Sequence, residues 1–294
     1  MNKEEFENIK FTYFQNGNYK IINNNPNNKI CYIFCSSNGI YKAKMPFQYN
    51  AEFIVNNCFE WENISQSKKI RHNAGKFIFL RDLYQHSYVD GINKEIDSID
   101  KIVEFLKMEI IGYDVYLVGN SGGGYLAMVL GFLLPNVKRI YSFGGLFSLY
   151  EWTGAHNQFT FNECEFYTKH LNDDKSKYFD IRNLIINVEN IIYHFYGTGH
   201  SGDAKQISLL RENHKINLFP INEEVHGSSI YPFDMISVLS CSDKKLDKIV
   251  ENIKFKRNVS KNRFSINSFG ILHFIFGYSN KIYRSIKRRI FKKH

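Results

Sequence analysis

The sequence predicts an α/β domain, a mostly parallel sheet covered by helices on both faces. Three observations carry that expectation. Short, continuously apolar runs recur along the chain, as suits strands buried on both sides. Helical stripes separate them, the alternation that βαβ units require. One apolar run, Val115 to Val118, leads through Gly119-Asn120-Ser121-Gly122-Gly123 straight into the apolar segment Tyr125 to Leu134, giving strand, sharp turn and helix.

Taken in order, Phe11 to Asn25 reads as a β-hairpin, FTYF and YKII around an Asn16-Gly17 turn. Lys29 to Cys35, KICYIFC, is a strand followed by the loop Ser36-Ser37-Asn38-Gly39. Asn56 to Gln66 is ambiguous, with Trp61 read as packed rather than functional. Lys76 to Leu80, KFIFL, is a buried strand closed by Arg81-Asp82, which reads as a structural ion pair, with lining of a site as the other option. Ile92 to Ile111 carries a helical stripe at Ile96, Ile99, Val103, Leu106 and Ile110. Val137 to Phe143, Asn190 to Tyr196 and Lys215 to Phe219 are further strands, and Asp234 to Ile253 is a closing helix. Between them, about residues 147–187 break the rhythm as helical insertions, a small cap. Its Trp152, Phe159, Phe161, Phe166 and Tyr167 either shape a pocket or pack a core.

The bulk numbers agree. A chain of 294 residues, 44% hydrophobic, has room for one large α/β domain or two small ones. We read residues 1–257 as the catalytic domain and 258–294 as a separate tail. Five cysteines, an odd number without a C-x-x-C pair, suggest reduced, buried thiols in a cytoplasmic protein and no metal site. The start is polar and lacks the apolar stretch of a secretory signal, and no run of eighteen apolar residues occurs. The formal charge of +9 is unevenly spread. Twelve of the 38 basic residues and none of the 29 acidic ones lie from Lys254 onward, leaving 26 basic against 29 acidic before it.

The G-x-S-x-G stretch gives Ser121 the position of a nucleophile. Its flanking glycines let strand and helix come close, and the Gly122 N–H faces the hydroxyl from the positive end of the helix. A capping serine in a glycine-rich turn is the plain alternative; nucleotide binding lacks its own glycine pattern here. A serine hydroxyl needs a base to take its proton and an acid to hold that base in one tautomer. His226, in the loop after KINLF, is the base, with His200 as its rival. Asp203, in the loop after NIIYHFY, is the acid, with Glu151 in reserve and helix capping as its other reading. The oxyanion hole would pair Gly122 with an N–H at Ser37 or Asn38.

On VGNSGG (Val118 to Gly123), GHSGDA (Gly199 to Ala204) and EEVHGSS (Glu223 to Ser229), the chain resembles the α/β-hydrolase superfamily from about Tyr13 to Ile253. Within it, the chain is similar to bacterial capsular polysaccharide O-acetyltransferases of that fold. That resemblance implies an acetyl group taken from acetyl-CoA, as co-substrate rather than resident cofactor, and passed to a carbohydrate hydroxyl. The oxyanion loop lacks the His-Gly pair common in lipases and esterases. An esterase or deacetylase, and a non-catalytic accessory protein of surface-glycan synthesis, are the alternatives.

The tail falls outside the resemblance. Phe269 to Phe276 is apolar but too short to span a bilayer. Lys281 to His294 spaces Ile282, Ile286 and Ile290 every fourth residue among basic ones, as suits contact with an anionic membrane at its cytoplasmic face. A disordered solubilising tail is the bland reading, and nucleic acid is not expected as a partner.

Overall fold

Alternate residues of a strand point to opposite faces of its sheet, and here the two faces differ in kind. In β2 (Ile30–Cys35), Cys31, Ile33 and Cys35 enter an aliphatic core while Tyr32 and Phe34 enter an aromatic one. The split recurs in β3 (Ala74–Leu80), with Ile78 and Leu80 opposite Phe77 and Phe79. In β5 (Val137–Phe143) it sets Ile140 against Tyr141 and Phe143. Stacked rings such as Phe195 and Phe219, 4.1 Å between centroids, fill the aromatic layer. Each buried ring contributes about 1.5–3 kcal/mol by leaving water.

The computed structural model describes the chain except residues 38–46, 152–165, 168, 171, 186–190, 211–214, 228, 255–258 and 292–294. Its remaining strands are β1 (Tyr19–Asn23), β4 (Asp114–Asn120), β6 (Ile191–Gly197) and β7 (Ile216–Ile221). The sheet runs β1-β3-β2-β4-β5-β6-β7. β1 is antiparallel to β3, and every other neighbouring pair is parallel. Helices Ile99–Glu109 and Gly122–Leu133 cover the aliphatic face; Pro232–Leu239 and Asp243–Lys254 cover the aromatic one. This is the α/β-hydrolase fold, as the sequence predicted.

Several expectations need correcting. The opening hairpin is instead a helix, Lys3–Phe14, followed by β1. Asn2 and Glu5 form a capping box at its start, and Phe6, Ile9, Tyr13 and Phe14 pack on Phe47, Ala51 and Ile54. Helical packing overrides the β propensity of FTYF. Gly17 and Asn18, both at positive φ, then turn the chain into β1. The stripe from Ile92 becomes helical only at Ile99. Ser98 caps it there, and the Asn93 side chain holds the preceding segment in a turn through the N–H groups of Glu95 and Ile96. The closing helix is two helices. Ser240 ends the first by bonding back to the Ile236 and Ser237 carbonyls, and buried Arg139 takes the Cys241 carbonyl in the gap.

Arg81 and Asp82 are both buried, and each turns to partners other than its neighbour. Arg81 donates to the Asn18 side chain and the Cys58 carbonyl, whereas Asp82 accepts from the N–H groups of Tyr84, Gln85 and Tyr88. Trp61 is packed as expected, its Nε1 donating to the Cys35 carbonyl. Of the cap aromatics, Tyr167 is buried in the aliphatic core with Phe166 beside it; Trp152, Phe159 and Phe161 lie outside the described residues. Cys31, Cys35 and Cys241 are buried, and burial pushes the Cys31 thiol up to about 12. Nor does packing stop at residue 257. Val259 bridges to Ile221, Phe264 is buried in the aromatic core, and Ser265 donates to buried Asp234.

Candidate active site

β4 delivers the chain into its turn under strain. Ser121 sits at φ 54°, ψ −122°, left-handed backbone that a residue with a side chain adopts only when its surroundings enforce it. The glycines on either side are steric necessities. A Cβ on Gly119 would lie 2.0 Å from the Gly123 carbonyl oxygen, and one on Gly123 would lie 2.2 Å from that of Cys35. Helix Gly122–Leu133 starts immediately, so the Gly122 N–H belongs to its first turn and has no acceptor within the helix.

Three side chains distant in sequence converge on that turn. His226 Nε2 lies 2.8 Å from Ser121 Oγ, and His226 Nδ1 lies 2.5 Å from Asp203 Oδ1. With Nδ1 donating to the carboxylate, Nε2 is left to accept the serine proton. Asp203 belongs to helix Ser201–Ser208, but it does not cap that helix; His200 does, through the Asp203 N–H. The carboxylate is free to turn toward the site, where its second oxygen accepts from the Gly197 N–H at 3.1 Å. Burial alone would raise this carboxyl, but hydrogen bonding and charge from His226, the Gly197 N–H and the charge of His200 together hold it below the usual carboxylate range. Glu151, the reserve acid, pairs with Lys205 instead.

Two residues the sequence reading missed support the turn. Glu60 follows buried Phe59 and precedes buried Trp61, whose bond to the Cys35 carbonyl anchors this segment at the end of β2. Its carboxylate accepts the Ser37 N–H at 2.6 Å and the Asn120 amide at 3.3 Å, beside the nucleophile. The residue is open to solvent as a whole, while its carboxyl is hemmed in by Ser37 and Asn120. Burial raises that carboxyl above its ordinary range, against the pull of those hydrogen bonds. The Ser37 N–H assigned to the oxyanion hole is therefore held by a carboxylate here, and Asn38 lies outside the described residues. Tyr88 is the second. Buried at positive φ, it donates its hydroxyl to the carbonyls of Ser36 and Leu80, tying the oxyanion strand to β3. An acid between two aromatics was the available signal for Glu60; Tyr88 had none.

Among the described residues, His200, Asp203 and His226 are the one group whose side-chain atoms converge as metal ligands would. The bonds from Asp203 to His226 and from its N–H to His200 account for that convergence, and His226 Nε2 faces the serine.

No family model matches the chain, and no curated protein matches it. Solved structures do. A protein of unknown function from Staphylococcus aureus subsp. aureus Mu50 is 12% identical, with 81% of this chain and 94% of that one covered at a TM-score of 0.47. A lipase-esterase related protein from Clostridium acetobutylicum ATCC 824 is 14% identical, covering 81% and 100% at 0.42. Acetyl xylan esterase 1 from Thermoanaerobacterium sp. JW/SL YS485 is 9% identical, covering 80% and 92% at 0.40. The likeness is one of fold.

Proposed function

We propose that this chain is a serine acyl-transfer enzyme that works through a covalent acyl-enzyme on Ser121. The bond from His226 Nε2 to Ser121 Oγ, with Asp203 behind the imidazole, is the observation that carries the reading. Ser121 Oγ attacks the acyl carbonyl carbon as its proton passes to His226 Nε2. The carbonyl oxygen takes the negative charge toward the Gly122 N–H. Collapse breaks the bond to the leaving group, which departs with the proton from His226. An acceptor hydroxyl then gives its proton to His226 and attacks the acyl-enzyme, and Ser121 leaves with that proton restored. Asp203 keeps Nδ1 protonated throughout and stabilises the transient imidazolium.

Up to the acyl-enzyme, hydrolysis and transfer share this chemistry. We assign the donor as acetyl-CoA and the acceptor as a hydroxyl of a bacterial surface polysaccharide, with the enzyme at the cytoplasmic face of the membrane. The Ser36-Ser37-Asn38-Gly39 loop after its strand and the basic tail support that assignment, since both fit the branch of capsular O-acetyltransferases. The test incubates the purified chain with acetyl-CoA, with and without capsular glycan, and follows free CoA and ester-linked acetate. CoA release that rises with glycan supports the transferase. Release indifferent to glycan makes the protein an esterase. Failure of a fluorophosphonate to label Ser121 makes it a non-catalytic accessory protein.

A further inference from the structure

Over residues 271–283 the last helix, Ile271–Phe291, turns one side to the protein and leaves the other bare. On the packed side, His273 Nε2 lies 2.9 Å from buried Asp234, the Phe274 ring lies 6.3 Å from that of Tyr231, and a Cβ on Gly277 would lie 2.5 Å from the Phe233 ring. On the bare side, Ile271, Leu272, Ile275, Phe276, Ile282 and Tyr283 are between 47% and 67% exposed. At about 100° per residue these six fall within one arc of about 140°, opposite the packed side. The spacing of Ile282, Ile286 and Ile290 continues the row along the sequence. No helix among the described residues is long and apolar enough to cross a membrane. A helix with one wide apolar side and low overall hydrophobicity instead lies along the boundary between headgroups and acyl chains.

Charge selects the occupant. Five basic residues, Lys281, Arg284, Lys287, Arg288 and Arg289, belong to this helix, and the chain has no acidic residue from Lys254 to its end. Beside the helix's first turn, which contributes His273, opens a cleft of about 830 Å³. Lys68, Lys69, His72 and Lys245 also line it, with hydroxyls from Ser237, Ser240 and Ser242 and no carboxylate among its lining residues. Such a cleft suits phosphate groups. The helix also adjoins the catalytic loop. Tyr231, which it packs against, follows the loop that carries His226, and Lys261 pairs with Glu223 of the same loop.

We propose that the bare side of helix Ile271–Phe291 and the neighbouring basic cleft form a docking surface for an anionic phospholipid bilayer, which holds the loop of His226 near the membrane. The inference is independent of the reaction assigned to Ser121. The test is sedimentation of the full chain with vesicles of phosphatidylcholine alone or mixed with phosphatidylglycerol. Wild type pellets with the mixed vesicles, weakens as salt rises, and stays in solution with phosphatidylcholine alone. The I275S/F276S double variant and the K68E/K69E/K245E variant each lose at least about tenfold in partitioning while keeping the wild-type circular dichroism spectrum. Equal binding by either variant, or no binding by wild type, overturns the proposal. So does a wild type that is dimeric by light scattering and becomes monomeric on I275S/F276S, since the apolar side then belongs to a second copy. Inorganic phosphate that displaces the protein from vesicles only through ionic strength is expected. Displacement beyond an equal ionic strength of chloride marks the cleft as a site for free phosphate and overturns the lipid assignment.

Discussion

Gly227→Ala tests whether the spacing between two loops sets the reactivity of the serine. Gly227 follows His226 and sits at φ +70°, left-handed backbone that costs an L-residue about 1–2 kcal/mol. A Cβ there would lie 2.2 Å from Asn120 Oδ1, on the residue that precedes the nucleophile. Relieving the overlap takes a shift of roughly 1 Å; the Asn120 amide is tied to the Glu60 carboxylate, so part of that shift is passed to the two chain segments that hold the 2.8 Å bond from His226 to Ser121. Misplacement of that size costs about a hundredfold in rate. The measurement is the second-order rate of fluorophosphonate labelling, together with hydrolysis of an activated acetate ester. Gly112→Ala is the control. Gly112 has φ +81° with nothing within 4 Å of the added Cβ, so it carries the backbone cost alone. Both variants should melt a few degrees lower, and only Gly227→Ala should label slowly. Labelling of Gly227→Ala at the wild-type rate, or an equal loss in Gly112→Ala, refutes the argument.

Asp203→Asn should lower turnover by about 10⁴-fold with the fold intact, because the amide leaves the imidazole in the wrong tautomer; turnover assays with a thermal melt check it. Since the folded Asp203 titrates below its usual range, the stability it contributes is present above the ordinary Asp pKa and is lost as pH falls through the lowered one. The gap in urea stability between wild type and Asp203→Asn should therefore close as the solution is acidified. Glu60, with its pKa raised, stays neutral further up the pH scale and becomes an anion beside the developing oxyanion only above that range. The ratio of Glu60→Gln to wild-type acylation rates should accordingly rise severalfold with pH, and a flat ratio removes Glu60 from the site. Tyr88→Phe leaves the Ser36 and Leu80 carbonyls without this donor and should cost about 1–3 kcal/mol in urea denaturation, with slower acylation as the oxyanion strand loosens.

How much of this was legible beforehand follows from where each signal resides. Strands β2 to β7 announced themselves because most of their residues are buried or half-buried on both faces, so the runs are largely apolar despite residues such as Lys138 and Asn217. The N-terminal helix did not. FTYF has the aromatic and β-branched content of a strand, and only the box formed by Asn2 and Glu5, with the later partners Phe47 and Ile54, decides for a helix. The break in the closing helix at Ser240 depends on a hydroxyl folding back on its own turn and on Arg139 reaching over from β5. Neither is visible in the local pattern of apolar residues. The boundary at residue 257 was set by composition, whereas the packing of Phe264 obeys the aromatic core.

The same distinction runs through the site. Ser121, Asp203 and His226 could be found because each follows a strand at a place the fold reserves for it, and the structure brings them within hydrogen-bonding distance. The oxyanion side follows no such local rule. Ser37 is positioned by its strand, but what its N–H meets is decided by Glu60, carried there on the buried rings of Phe59 and Trp61. A carboxylate on that donor competes with the oxyanion for the same hydrogen and opposes its charge. For Ser37 to assist the reaction, Glu60 has to give up the N–H, and protonation, which its raised pKa favours, weakens its hold and removes the opposing charge. The acyl group that enters therefore meets a donor already engaged, and the pH series on Glu60→Gln measures what that engagement costs the rate.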